Sequence, residues 1–326
     1  MTFYEKLVLQ SQQSFQNNYS TYSQGKTPIK LSTKQPDNYE TQIKKFSKMF
    51  NDAEYVVIGG ASGLSAAGGG DFYYTDTPSF YENFGKFSKK YGFKGAFAGM
   101  RYPFPNRETY WGYLATFLNT TLNASIRQPY QDLAAILNDK DFDIVTTNQD
   151  TQFIKSFDEA KVSEIQGDHR FFQCSNACTD DVWDATESID QMIKAMGDDT
   201  QIPTDLIPRC PRCGAEAFPW VRGYGNFLEE KKYQAEYAKI SNALLSHQGS
   251  KTLFIELGVG RMTPMFIQEP FWTLSYNLSN ANYISVNRDS AFLPEQLENK
   301  GLAIQNDIAK VLHDVRNQIV EVKNDK

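Results

Sequence analysis

Long apolar runs are missing from these 326 residues. No stretch approaches the roughly 18 apolar residues that a membrane-crossing helix needs, so no transmembrane span is expected. The N-terminal segment Met1–Ser20 has no basic stretch leading into a long apolar core, so it does not read as an export signal. An excess of positive charge is missing too. The 33 basic and 39 acidic side chains leave a net charge of −6, with no evident basic patch. Phosphate backbones demand clustered Lys and Arg, so nucleic-acid binding is not expected. Cysteine is scarce: four residues, in two close pairs. Without an export signal, such pairs favour a metal over disulfides. The expectation is a soluble cytoplasmic protein with no membrane and no nucleic-acid partner.

What is present is enough for a large core. Hydrophobic residues make up 40% and aromatics 14% of a chain long enough for one large α/β domain or two ordinary ones. Residues 1–50 are polar and read as one or two helices, with Phe46, Met49 and Phe50 leading into the core. Tyr55-Val56-Val57-Ile58 is short and apolar on both faces, as a buried parallel strand should be. Further strands are expected at 142–147, 162–165, 252–257, 283–286 and 302–304, with helices between them. On the last helix Ile308, Val311, Leu312 and Val315 share one face. This alternation predicts a Rossmann-like, doubly wound parallel sheet. The aromatic-rich, irregular stretch 72–115 reads as an inserted helical lid. The segment 166–225 holds all four cysteines and reads as a small zinc-ribbon module. The Rossmann-like domain is then 1–165 together with 226–326.

A glycine-rich turn, Gly59 to Gly70, follows the first strand. Small residues there let a backbone approach a pyrophosphate, and helix N-terminal N–H groups complement its charge. The same composition also suits a flexible turn; its place after the first strand favours a dinucleotide. The acidic residue that normally binds a ribose about twenty positions on is not clearly placed. A second polar cluster, Thr146-Thr147-Asn148-Gln149-Asp150, closes a buried strand. At the carboxyl edge of a parallel sheet these groups face the ligand crevice, where Asn148 and Asp150 could hold a ribose or position a water. Turn-forming caps are the alternative.

Cys174-x3-Cys178 and Cys210-x2-Cys213 offer four thiolates, the set for a closed structural zinc site without an open position for chemistry. The first pair is one residue wider than usual, and unmetallated buried thiols are the alternative.

Together these residues resemble a sirtuin over roughly 40–320, in the right order. The family's Gly-Ala-Gly-Ile-Ser loop matches Ala61-Ser62-Gly63-Leu64-Ser65, and its Asp-Phe-Arg matches Asp71-Phe72-Tyr73. Thr-Gln-Asn-Ile-Asp matches Thr146 to Asp150, and the catalytic His-Gly matches Gln166-Gly167. Gly-Thr-Ser matches Gly258-Val259-Gly260, Ile-Asn matches Val286-Asn287, and the last helix start matches Asp307-Ile308. Tyr102-Pro103-Phe104-Pro105, Tyr110-Trp111, Glu256 to Gly260 and Pro219-Trp220-Val221-Arg222 look like the macrodomain-linked class M sirtuins of bacteria and fungi. That class carries Gln at the histidine position.

The resemblance implies NAD and zinc as cofactors. It implies Asn148, Asp150 and Gln166 as the catalytic set. It places the NAD contacts at Gly60, Ala61, Ser62, Gly63, Leu64, Asp71, Phe72, Tyr73, Thr147, Asn148, Gly258, Val259, Asn287, Arg288, Asp307 and Ile308. It implies protein mono-ADP-ribosylation of a lipoylated glycine-cleavage-H-like carrier, with a macrodomain hydrolase and a lipoate-protein ligase as functional partners. A Gln amide cannot take a proton at neutral pH as an imidazole can, so deacylation loses its base while nicotinamide departure does not. His169, three residues on, is either a substitute base for a deacylase or an ordinary polar loop residue. An NAD hydrolase and an ADP-ribose-binding module without catalysis are the other readings. His247 and His313 read as surface residues. Tyr73 stands where the family has a cofactor-holding Arg, and Arg101 in the lid is a candidate replacement cation.

Overall fold

The computed structural model describes residues 1–324. The chain runs through α1 (Phe3–Asn17), α2 (Tyr19–Ser23), an extended strap and α3 (Tyr39–Asp52) into β1 (Tyr55–Gly60). Next come α4 (Ser62–Ala67), α5 (Pro78–Tyr91), α6 (Ala96–Met100), α7 (Arg107–Asn123) and α8 (Gln128–Leu137). β2 (Asp141–Thr146), α9 (Gln152–Ser156) and β3 (Val162–Glu164) lead to a smaller module. That module holds β4 (Gly167–Cys174), β5 (Trp183–Asp184), α10 (Thr186–Met196) and β6 (Ala217–Val221). The chain then returns through α11 (Lys231–Ser246), β7 (Thr252–Leu257), α12 (Gln268–Asn277), β8 (Ala281–Asn287), β9 (Gly301–Gln305) and α13 (Ile308–Asn324).

Six strands form one parallel sheet in the order β3-β2-β1-β7-β8-β9, and β5-β4-β6 form a small antiparallel sheet. The doubly wound parallel sheet, the small module and the helical insert are therefore all present. β1 and β7 are buried at every position because helices cover both faces. In register, Gly60 sits opposite both Thr146 and Leu257, so three strands end level at one edge. Switching of connection direction at such an edge opens a crevice for a ligand.

One face of the sheet is covered by α3, α8 and α13, with Phe46, Phe50, Leu133, Val311 and Val315 in the shared core. The other carries α1, α11 and α12, with Tyr4, Tyr237, Ile240 and Phe271. α1 begins at a capping box in which the Thr2 side chain accepts from the Glu5 N–H and Glu5 reaches back to the Thr2 N–H. The Tyr4 hydroxyl donates to the Phe266 carbonyl at 2.8 Å and ties this helix to the sheet. A third core is aromatic. Phe80, Phe84 and Phe87 recur on one face of α5 and meet Phe93, Tyr113 and Phe117. Thr77 caps the start of α5, and Gly92 ends it in the left-handed conformation.

Three local expectations change. Gly59 and Gly60 are the end of β1 and not part of a turn, and Ser62–Ala67 coil into α4. A Cβ at Gly59 would lie 2.2 Å from Ile267, and one at Gly60 would lie 2.3 Å from Phe153, so these glycines serve packing. The segment 166–225 contains α10, whose Ile189, Met192 and Met196 bury against the α7 core. The N-terminal 50 residues hold three helices and a strap, and the strap's Ser32 N–H donates to the Leu293 carbonyl at 2.8 Å.

Gly167 is the hinge between the two sheets. Its φ is +96°, and an added Cβ would lie 2.1 Å from the Trp220 carbonyl oxygen. Gly249 shares the left-handed conformation, with φ +94° and open space around it. Gly249→Ala should cost about 1 kcal/mol from backbone strain alone. Gly167→Ala adds a backbone collision and should cost about 3 kcal/mol or more by urea denaturation.

Candidate functional site

A cavity of about 730 Å³ opens at the level strand ends, between the large sheet, the aromatic insert and the small module. Ser62, Ser65, Thr147, Asn148, Gln149 and Asp150 line it from the sheet side. Tyr73, Phe97, Phe117, His169 and Tyr224 line the opposite side. Its charged lining residues, among those described, are Asp150, Arg101 and Arg222.

Backbone geometry builds the sheet side. The Gly60 carbonyl accepts from the Thr146 hydroxyl at 2.8 Å and from the Thr147 N–H at 3.1 Å. The Asn148 side-chain amide donates to the Ala61 carbonyl at 3.0 Å and to the Tyr130 hydroxyl at 3.2 Å. The Ser65 hydroxyl donates to Asp150 Oδ2 at 2.7 Å. Arg127 Nη1 lies 3.4 Å from that same oxygen and 3.5 Å from the Ser65 carbonyl oxygen. The polar strand end is thus welded to the loop after β1. Arg127 starts α8, and no motif spacing marks it in the sequence.

The loops after β1 and β7 touch through glycine. Gly63 N–H donates to the Gly258 carbonyl at 2.9 Å, and Cβ atoms at these positions would lie 2.7 and 2.6 Å from the other's Cα. The Asn287 amide donates to the Val259 carbonyl at 3.0 Å. Asp307 caps α13, its carboxylate accepting from the Lys310 N–H at 2.9 Å, and Arg288 is exposed beside Asp289. Gly258, Val259, Asn287, Arg288, Asp307 and Ile308 therefore share the sheet edge with the cavity but do not line it. Leu64, Phe72, Val259 and Ile308 are core side chains, so only their backbone can face a ligand. The side chain of Asp71 lies outside the described part of the structure.

Gln166 is buried between β3 and β4, and its amide donates to its neighbour's carbonyl, that of Ile165, at 3.0 Å. Its own carbonyl accepts from Gln149 Nε2 and from the Arg222 N–H, both at 3.0 Å. It is not among the cavity-lining residues. His169 is: it sits in β4 and not in a loop, buried edge-on to Phe117, with Nδ1 3.4 Å from the Thr121 hydroxyl. Desolvation pushes its pKa down to about 4, against a smaller opposing pull from Asp168, so the ring is neutral at physiological pH. His247 stacks on Tyr55 at 3.7 Å and pairs with Asp141 at 2.9 Å, half-buried and far from the crevice in the fold. His313 is exposed. Arg101 is exposed at the cavity, and the cation against Asp150 is Arg127.

The four cysteines meet as the spacing required. Their sulfurs lie within 4.8 Å of one another, with Cys174–Cys213 and Cys178–Cys210 each at 3.5 Å, and none forms a disulfide. Tetrahedral zinc with bonds near 2.3 Å separates its sulfurs by about 3.8 Å, so the cluster suits zinc. The Ala217 N–H donates to the Pro208 carbonyl, and the Gly214 N–H to that of Cys210, which folds the second knuckle.

No family model matches the chain. A protein ADP-ribosyltransferase of Staphylococcus aureus is 29% identical over 279 residues, covering 85% of this chain and 87% of that one. The chain is thus similar, over most of both lengths, to a protein ADP-ribosyltransferase. A probable bifunctional ADP-ribose hydrolase/ADP-ribosyltransferase of Fusarium oxysporum f. sp. cubense is 28% identical over 280 residues, 80% of this chain and 45% of that longer one. Among solved structures, a Sir2 homologue–NAD complex superposes with a TM-score of 0.53 at 14% identity, over 90% of this chain and 98% of that one. A Sir2 homologue bound to ADP-ribose gives 0.52 at 14% identity, over 87% and 98%. These structures share the sirtuin fold with this chain. No helix among the described residues is long and apolar enough to cross a membrane.

Two outcomes follow from the site. Elemental analysis should find one zinc per chain, and Cys213→Ser or a strong chelator should lower stability by about 2 kcal/mol or more. Because the His169 pKa is lower folded than unfolded, the unfolded chain takes up the extra proton on acidification. Stability from this group should fall between about pH 6.5 and 4, by up to about 3 kcal/mol. Denaturation series at several pH values on wild type and His169→Asn should show a shallower loss in the variant.

Proposed function

We propose that the cavity binds NAD and that the chain transfers its ADP-ribosyl group to a lipoylated glycine-cleavage-H-like carrier protein. The observation that carries this reading is the absence of a competent base beside an otherwise complete crevice. Gln166 holds the histidine position of deacylating relatives, and an amide does not accept a proton at neutral pH. The one imidazole on the cavity wall, His169, is desolvated and holds its pKa near 4, which makes it a weak base.

The residues present fit NAD. Gly63 and Gly258 let the loops after β1 and β7 close on each other with no side chain between them, and Ser62 and Ser65 present their polar groups to the cavity beside this contact. Bound NAD would supply a ribose whose bond to nicotinamide breaks as the acceptor's nucleophile bonds to the same carbon, nicotinamide leaving neutral and the nucleophile's proton passing to solvent. Asn148, fixed by Ala61 and Tyr130, would orient the ribose face. Asp150, fixed by Ser65, would accept from a ribose hydroxyl and place negative charge near the positive charge that develops as nicotinamide leaves. Gln166 would set the backbone around Gln149 and Arg222 and act without transferring a proton. Exposed Tyr74 and Phe97, with Met100, give the cavity mouth apolar surface for a long acyl arm. We place the NAD-binding domain at 1–165 and 226–326, with the lid at 72–115 and the zinc module at 166–225. A cytoplasmic setting, with a macrodomain hydrolase to reverse the mark and a lipoate-protein ligase to prepare the carrier, fits this chemistry. The name of the Fusarium relative joins a hydrolase and a transferase in one chain.

Incubation with adenylate-labelled NAD and the lipoylated carrier should label the carrier, with no label on the unlipoylated form. Nicotinamide release without carrier label would instead make the chain an NAD hydrolase. Cofactor binding with the nicotinamide bond intact would make it an ADP-ribose-binding module. Gln166→Ala should keep at least about a tenth of the transfer rate, because no proton transfer is lost with it. Acyl-lysine turnover lost in His169→Ala and kept in Gln166→Ala would favour a deacylase.

A further inference from the structure

Tyr73 has an unused hydroxyl. The side chain is 6% exposed, locked by Phe97 at 5.3 Å, Phe72 at 4.3 Å and Phe117 at 5.6 Å between ring centroids. It lines the cavity, yet its hydroxyl is buried with no hydrogen-bond partner among the described residues. Leaving a buried O–H unpaired costs free energy, so such a group asks for a partner that arrives from outside. The charges that face it are Asp150 and Arg127, the guanidinium lying near the hydroxyl without reaching hydrogen-bond geometry.

Arg127 is held from several sides. Nη1 approaches Asp150 and the Ser65 carbonyl, and the guanidinium lies 5.9 Å from the Phe72 ring centroid. A Cβ at Gly68 would lie 3.0 Å from its Cδ, and one at Gly70 would lie 2.9 Å from Nη1. The Gly70 Cβ would also lie 2.6 Å from the Ser65 carbonyl oxygen, so Gly70 lets the loop close against α4 beside the guanidinium. The side chain is 11% exposed. A dinucleotide brings two negative phosphates towards a crevice that already holds the Asp150 carboxylate. Arg127 offsets that charge at close range in a poorly solvated place, where it counts most.

Accepting the NAD reading above, we propose that Tyr73 and Arg127 form one cofactor-reading unit. Tyr73 donates its hydroxyl to an oxygen of the ribose–diphosphate. Arg127 is a positioning residue that fixes Asp150 and the Gly68–Gly70 segment and supplies the positive charge. The cation of this site thus comes from the start of α8 and not from the position after Asp71-Phe72.

Calorimetric titration of the full chain with NAD, with thermal melting of the cofactor-free protein, tests this. Tyr73→Phe should weaken NAD about tenfold, the effect of one lost hydrogen bond to a charged or polar oxygen. The same variant should melt higher than wild type without cofactor, because an unpaired buried hydroxyl is gone. A merely structural tyrosine would move the melting point down. Arg127→Gln should raise the NAD KM about tenfold or more with a smaller change in kcat, and Arg127→Lys should recover part of it. The two substitutions combined should weaken NAD by less than the product of the single effects. NAD affinity within twofold of wild type in Tyr73→Phe, or a fall in its cofactor-free melting point, overturns the proposal. Should Arg127→Gln fail to fold, Tyr73→Phe decides alone. If wild type binds no NAD, the cofactor reading itself fails; if wild type binds and the variants match it, only this inference does.

Discussion

The site depends on the contact between Gly63 and Gly258. These residues follow β1 and β7, the two central strands, and their backbones touch with no side chain between them. Any Cβ there would push the strand ends apart. Because the loops can close, the Gly60 and Ala61 carbonyls face β2 at a fixed distance, and Thr146, Thr147 and Asn148 all bond to them. The same closure leaves the Val259 carbonyl open to Asn287. One backbone approach therefore sets four strand ends and holds Asn148 and Asp150 still.

The opposite wall obeys a different constraint. Phe117 and Tyr73 belong to an aromatic core that α5, α7 and α10 share, the exposed Phe97 stacks on Tyr73 at its edge, and the small module reaches the core through β4. Burial of large rings, each worth about 1.5–3 kcal/mol, makes this wall firm and dry. The cost falls on polar groups placed in it. His169 loses its basicity to desolvation, and the Tyr73 hydroxyl loses its water without gaining a protein partner. At the base of the module, desolvation and the nearby Asp168 push the Glu164 carboxyl well up, while Arg170 bridges both groups.

The parallel sheet was legible because buried strands of Val, Ile and Leu alternate with helical spacing, and both signals are local. The cysteine cluster was legible for a similar reason: knuckle spacing constrains four sulfurs before any tertiary contact forms. The glycine run was legible in place but not in shape. Whether Gly59 ends a strand or starts a turn is decided by Ile267 and Phe271, two hundred residues away. α10 was hidden by the cysteines and acidic residues around it, and its apolar stripe has meaning only against α7. His169 looked like a loop residue because its neighbours Asp168 and Arg170 are charged; it lies in the irregular stretch of β4 between the Gly167–Val221 and Phe172–Pro219 pairs with β6, turned in against Phe117. Arg127 carried no signal, since nothing in Ile126-Arg127-Gln128-Pro129 points to Asp150.

Arg127 also shows why a missing motif residue is weak evidence of lost chemistry. A charge acts through distance and dielectric, and neither depends on where in the chain the side chain begins. With Tyr73 after Asp71-Phe72, the guanidinium beside this crevice comes instead from the start of α8 and meets the Asp150 carboxylate. A histidine base differs in kind. Its function is to exchange a proton at a chosen atom, so replacement requires both reach and a suitable pKa. Gln166 has no titrating group, and the one imidazole nearby is held neutral by its surroundings. A cation can be re-supplied from elsewhere in the fold, but the proton acceptor has not been. On the proposed function, that asymmetry lets the crevice keep its fit to a dinucleotide while the fate of the ribose passes from a base to the acceptor.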